Sequence, residues 1–386
     1  MQTEPYEHSR PKYFDSLDIA RGIAALAVVL WHWQHFFFTG PFPGAFERQN
    51  QPFYTYLSIF YEHGWMAVDF FFVLSGFIFF RIYGQPVREG KVGAREFFIL
   101  RFSRLYPLHL LTLLLVATLQ WLSIEISGKP FVYQLNDAYH FLLNIFLAPA
   151  WGLQKGFSFN APVWSVSIEL LLYSIFFIVA RIFQAKLWPS LLLAIFGFIL
   201  QSYSELIGRG LFAFYIGGLT FLFFQLLISS RYIALLTRGL LALSLSAWTL
   251  TLTGVMTKSS GKLLNILLPG DSLPAKLGSL WIVGLLLPMS LLCLAMLEQR
   301  GEHRRLPGKW LGEISYSSYL IHFPLQLIFF MGANLLGFDQ HIFYNPYVWL
   351  VYFAILLALS IVTHRTFELP MQRALRDRLL RSKSKR

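Results

Sequence analysis

The chain has 386 residues, 56% of them hydrophobic and 13% charged, with 39 Phe, 18 Tyr, 11 Trp and a formal charge of +12 at pH 7. So apolar a composition excludes a water-soluble globular domain. The basic residues sit between apolar runs and in the tail, not among soluble aromatic platforms, so the charge reads as membrane topology and no nucleic-acid partner is expected.

Apolar stretches able to cross about 30 Å of hydrocarbon lie at 18–38, 64–81, 105–125, 163–184, 187–204, 210–229, 239–256, 279–297, 314–336 and 347–367. The expected fold is all-α, a polytopic transmembrane helical bundle of about ten spanning helices. It divides into a cytoplasmic N-terminal segment (1–17), a transmembrane domain (18–367) and a basic cytoplasmic tail (368–386). With both termini cytoplasmic, the inner segments carry 24 of the 32 Lys and Arg and the outer loops 7, which fixes the orientation by the positive-inside rule. The first run follows Arg10 and Lys12 but lacks a small-x-small cleavage site, and so reads as a retained span rather than a signal peptide. The stretch Tyr139–Ala148 is too short to cross and reads as interfacial or re-entrant. The outer loops, 39–63 and 126–162, are rich in Pro, Gly and aromatics such as Trp151, Phe157 and Phe159.

The first span carries Asp18, Arg21 and His32, groups a bilayer excludes unless they face a protein interior. Eleven residues separate Arg21 from His32, so both fall on one stripe of the helix, about 16 Å apart. Asp69 lies early in the second span and Glu169 early in the fourth, at depths like that of His32, so three helices each bring one titratable group to one outer layer. The opposite layer is basic. Arg101 and Arg104 share a face at the entry of the third span, with Pro107 just inside it and Arg81 at the neighbouring helix end. Two guanidiniums on one turn suit a bidentate phosphate clamp, and the positive-inside rule alone also accounts for them.

Further on, Ser315, Ser317, Ser318 and His322 give the ninth span a polar face, suited either to a substrate path or to interhelical hydrogen bonds. His364 and Glu368 lie near the inner end of the last span, where an Arg365–Glu368 pair is expected to be of little energetic weight. The tail, with Arg373, Arg376, Arg378 and Arg381, is expected against anionic lipid head groups. Cys293, the single cysteine, leaves no disulfide and no zinc-type cluster; it reads as a buried thiol, and no metal site is expected.

Five patterns in order carry a family resemblance: Leu17-Asp18-Ile19-Ala20-Arg21-Gly22 with His32 eleven residues beyond Arg21; Ala67-Val68-Asp69 through Gly76-Phe77; Arg101-Phe102-Ser103-Arg104-Leu105-Tyr106-Pro107; Trp164-Ser165-Val166-Ser167-Ile168-Glu169; and Ser315-Tyr316-Ser317-Ser318-Tyr319-Leu320-Ile321-His322. Over nearly its whole length the chain resembles the acyltransferase-3 family of membrane O-acyltransferases. The resemblance implies transfer of an acyl group, most often acetyl, from cytoplasmic acyl-CoA to a hydroxyl of a cell-surface or lipid-linked carbohydrate, in a bacterial inner membrane. It assigns catalytic importance to His32, functional weight to Glu169, and Arg21, Arg101 and Arg104 to the donor; a neutral imidazole acting as base near pH 7 in turn calls for a carboxylate to orient it, Glu169 or Asp69. Membrane lipids and glycan-assembly proteins are the implied partners. A departure is Ala20, where relatives often carry a bulkier side chain. The rival reading is a flippase of lipid-linked sugars, for which two pseudo-equivalent halves are expected and not found.

Overall fold

The computed structural model describes residues 14–40, 42–44, 46–183, 185–256, 273–301 and 307–380. Helix α1 (Asp15–His32) runs into a 3₁₀ turn (Trp33–Phe37), followed by α2 (Tyr54–His63), α3 (Ala67–Arg88), α4 (Ala94–Ser127), α5 (Ala138–Ile145), α6 (Trp164–Ile182), α7 (Leu187–Leu200), α8 (Glu205–Ile228) and α9 (Ile233–Met256). Helix α10 (Leu273–Trp281) passes through a π-helical turn (Ile282–Leu286) into α11 (Leu287–Gln299); then come α12 (Lys309–Glu313), α13 (Ser315–Leu335), α14 (Pro346–Thr363), a second π turn (His364–Glu368) and α15 (Leu369–Leu380). Each π turn ends two residues before a proline, Pro288 and Pro370. Proline has no N–H and crowds the carbonyl four residues back, which widens the helix just ahead of it.

Among the described residues nine helical segments are long and apolar enough to cross a membrane, and Leu187–Leu200 is a shorter apolar helix. The short one still crosses. At its start Ala185 lies against Gly84, near the end of α3, and Arg181 donates to the Val87 carbonyl. At its other end Gln201 packs on Gly208, whose neighbour Arg209 is bonded to Asp69 at the start of α3. Helix α7 thus joins opposite ends of α3 with 14 residues, about 21 Å of helix. Among the described residues ten passes result, an all-α polytopic bundle, and both described ends of the chain lie at the same end of it.

Close packing comes from glycine. A Cβ on Gly76 would fall 1.8 Å from the Phe214 carbonyl oxygen, and one on Gly217 would fall 1.9 Å from that of Val73. Helices α3 and α8 therefore touch backbone to backbone, the way small residues let membrane helices associate. Gly22 against Leu311 and Gly312 against the Asp18 carbonyl do the same for α1 and α12. The N-terminus of α1 is capped from afar: Glu298 accepts from the Asp15 and Ser16 amides at 2.6 and 3.0 Å and from the Ser16 hydroxyl at 2.6 Å, satisfying two of the N–H groups a helix start leaves over.

Three expectations change. Helix α4 begins at Ala94, eleven residues before the apolar run, so Pro107 is interior to it rather than near its start; the amphipathic first turns of α4 project beyond the apolar core, which hydropathy does not register. Glu368 is held by the Ser317 hydroxyl at 2.6 Å and by His364 at 3.1 Å, while Arg365 is exposed, because the π turn rotates Glu368 inward. The tail, whose Arg381 lies outside the described residues, gains a protein partner that its basic composition alone does not indicate. Helix α15 folds back on α4, with Arg95 donating to the Leu379 carbonyl and Arg376 to Ser103 Oγ at 3.1 Å and the Leu100 carbonyl at 3.3 Å. Cys293 is buried, and α5 is the short helix expected near 139–148.

Candidate active site

Helices α1, α3, α4, α6 and α13 surround a central cavity of about 120 Å³, open at its mouth, whose polar lining includes Arg21, Ser75, Arg101, Arg104, Glu169 and Tyr173. Each side chain is aimed by its own helix. The Arg101 and Arg104 spacing puts both on one face of α4, as expected. Arg101 donates to Tyr83 Oη at 2.6 Å and lies over the Phe79 and Tyr83 rings at 5.2 and 5.0 Å, while its buried Nε has no hydrogen-bond partner. Buried polar atoms are rarely left so. Arg21 is engaged by Asp18 at 3.2 Å, the Gly312 carbonyl at 2.6 Å and Ser315 Oγ at 3.0 Å; it ties α1 to the start of α13 while facing the cavity.

Glu169 does not sit in a separate outer layer with His32. It shares the cavity with the arginines, accepting from Ser75 Oγ at 3.0 Å and from Tyr173 Oη. Asp69 is elsewhere again, in a two-pronged ion pair with Arg209, Nε to Oδ1 at 2.5 Å and Nη2 to Oδ2 at 2.9 Å. The Arg209 guanidinium lies over Trp65 and Trp164 at 4.8 and 5.6 Å. Two of the motifs thus meet at Arg209, and the Asp69 carboxylate pins α3 to α8. Equal depth along parallel helices, on which the expected layer rested, leaves open which way each side chain turns.

The group facing His32 is another histidine. His32 Nδ1 lies 3.1 Å from His322 Nε2, with the rings stacked at 4.9 Å. His322 Nδ1 lies 2.6 Å from the Tyr319 carbonyl oxygen, which only accepts, so His322 carries its proton on Nδ1. In the neutral pair its bare Nε2 takes the His32 Nδ1–H, and the lone pair of His32 falls on Nε2. A third ring, His35, lies 4.7 Å from His32. Its Nδ1 is 3.2 Å from Gln326 Oε1, and Gln326 Nε2 donates to the His32 carbonyl at 2.9 Å. Sequence reasoning passed over His35, although it lies inside the apolar run 18–38; its three-residue spacing from His32 was the available signal. Among the described residues no three His, Cys, Asp or Glu converge as a metal site.

From the outer end, loop 126–162 closes over these rings: Tyr133 Oη is 3.4 Å from His35 Nε2, Phe131 stacks on Phe323, and Asn160 donates to the Leu320 carbonyl at 3.0 Å. Tyr319 separates the two halves of the site. Its ring lines the central cavity and lies 5.8 Å from that of His322, and its hydroxyl is bonded to the Pro162 carbonyl at 2.7 Å and Ser165 Oγ at 2.8 Å. Neither His32 nor His322 lines that cavity. The continuous passage implied by one stripe bearing Arg21 and His32 is interrupted at this tyrosine.

A cluster of part-buried arginines thus faces the bundle cavity, with a histidine pair behind one tyrosine at its far end. Residues 14–365 match a family described as an acyltransferase domain. The chain belongs to this acyltransferase family. It is also similar to "Protein 2 in picA locus" of Rhizobium radiobacter, 30% identical over 179 residues, which covers 44% of this chain and 83% of that protein. No solved structure gives a significant match. The protein is an integral membrane acyltransferase, and its family-matched part stops before α15 begins.

Proposed function

We propose that this acyltransferase moves an acyl group, most often acetyl, from acyl-CoA held at the basic, cytoplasmic end of the bundle to a hydroxyl of a lipid-linked or cell-surface carbohydrate at the other end, across a bacterial inner membrane. The observation that carries the reading is the central cavity, which unites Arg21, Arg101 and Arg104 and ends one tyrosine short of the His32–His322 pair. The unpartnered Arg101 Nε suits a phosphate oxygen. An acyl thioester supplies an activated carbonyl carbon, so the tasks left to the protein are deprotonating the acceptor hydroxyl and holding the two substrates in line.

His32 Nε2 takes the hydroxyl proton as the oxygen attacks the thioester carbon; the carbon–sulfur bond breaks, and the leaving thiolate receives the proton. His322 holds His32 in the tautomer that leaves Nε2 basic and shares the charge that develops, the part a carboxylate plays in a Ser-His-Asp site. Transfer on this reading requires Tyr319 to leave its bonds to the Pro162 carbonyl and Ser165 so that the cavity joins the histidines. Glu169 positions Ser75 and Tyr173 on the cavity wall, and Asp69, paired with Arg209, maintains the helix packing instead of acting on substrate. The test is the purified full-length protein in lipid nanodiscs, given acyl-CoA and envelope glycans, with new esters read by mass spectrometry. His32→Ala is expected to lower transfer at least about 100-fold with folding intact. Near-native transfer by this variant refutes His32 as base, and movement of lipid-linked sugar with no donor present points to the flippase.

A further inference from the structure

We infer that Arg376, on the tail helix beyond the family-matched residues, is a third arginine of the donor-phosphate site. The inference rests on the reading of Arg101 and Arg104 as that site, and it concerns a part of the chain that the family match, 14–365, does not include.

Helix α15 lies along the basic end of α4, and Arg376 reaches across it to Ser103 and the Leu100 carbonyl. These residues flank Arg101 on the same turns of α4, and the Arg376 charge is close enough to those of Arg101 and Arg104 to be repelled by both. Arg101 and Arg104 line the cavity, and Arg376 packs on the α4 turns beside them; three guanidiniums drawn together in this way oppose folding unless something offsets their repulsion. Among the described residues, two of them have no carboxylate within ion-pair distance. Among the described residues Arg376 is bonded to a hydroxyl and a carbonyl, and Arg101 to a phenol and two aromatic faces. The carboxylates at this level have other partners: Glu169 has Ser75 and Tyr173, Asp18 has Arg21, and Glu368 has Ser317 and His364.

A guanidinium offers five N–H donors. Arg376 spends Nε and one Nη on α4, which fixes its plane, and Arg101 keeps a buried Nε without a hydrogen-bond partner. This arrangement suits a polyanion with more than one phosphate group, such as the phosphorylated nucleotide end of CoA, better than it suits the uncharged pantetheine arm. Helix α15 therefore supplies the outermost contact of the donor, and the tail, in place of a passive lipid anchor, completes the mouth of the site.

The test uses the full chain in nanodiscs of neutral lipid, so that anionic head groups do not compete, with CoA binding measured by calorimetry and transfer measured with acetyl-CoA and with acetyl-pantetheine. Arg376→Ala is expected to weaken CoA binding about 10-fold and to leave acetyl-pantetheine use unchanged. Arg376→Lys is expected to fall between, and Arg378→Ala, exposed on the same helix, to bind CoA normally. Native CoA affinity in Arg376→Ala overturns the inference and leaves the proposed function standing. Equal loss with acetyl-pantetheine also overturns it, since Arg376 is then only a strut for the tail. Failure of the native chain to bind CoA at all overturns the proposed function itself.

Discussion

At the scale of single residues, the main result is that the partner of His32 is His322 and not a carboxylate. A neutral pair held from the Tyr319 carbonyl needs no charge in the apolar interior, where a lone carboxylate is costly. The carboxylates that are present have been given cations or several donors: Asp69 has Arg209, and Glu169 has two hydroxyls. If His322 sets the tautomer of His32, then His322→Gln, whose side-chain oxygen can still accept from Nδ1–H, retains part of the activity, and His322→Leu loses roughly 10- to 100-fold in kcat. Folded protein and CoA affinity should be unchanged in both. Equal kcat in Gln and Leu variants, measured on protein of matched melting temperature, removes His322 from the reaction.

At the scale of elements, glycine decides which helices form the cavity. The contact of α3 with α8 leaves no room for a side chain at Gly76 or Gly217, and this contact sets the face that α3 turns inward, bearing Ser75 and Ile78. Gly217→Leu is expected to force the helices apart and to cost more than about 3 kcal/mol, seen as loss of monodisperse protein in detergent. Gly239→Leu on α9, where nothing lies within 4 Å, serves as the comparison and is expected to purify normally. The glycines were visible in the sequence, but a glycine in an apolar helix does not announce which neighbour approaches it.

At the scale of the whole molecule, ten passes follow from the ends of α7, although that helix is shorter than a bilayer's apolar core. A membrane meets a short helix by thinning or by local tilt of its neighbours, at a cost of fractions of a kcal/mol per ångström. Cysteine mapping in a Cys293→Ala background checks the arrangement. Lys129→Cys, Tyr203→Cys and Phe338→Cys are expected to label from one side of sealed vesicles, and Glu89→Cys, Lys186→Cys and Arg378→Cys from the other. Labelling of Lys186→Cys and Tyr203→Cys from the same side contradicts the crossing by α7.

Hydropathy and charge placement were enough to establish the helical class, the approximate spans and the basic end, because bilayer insertion acts on local composition within each segment. The five motifs, read in order, were enough to indicate the family. Only the tertiary structure decided who meets whom: His32 with His322, Asp69 with Arg209, Glu169 with Ser75 and Tyr173, Arg376 with α4, and Tyr319 across the path between the two halves of the site. Depth along a helix is legible in a sequence because rise per residue is constant, whereas the rotation and neighbours of each helix come from packing against segments hundreds of residues away.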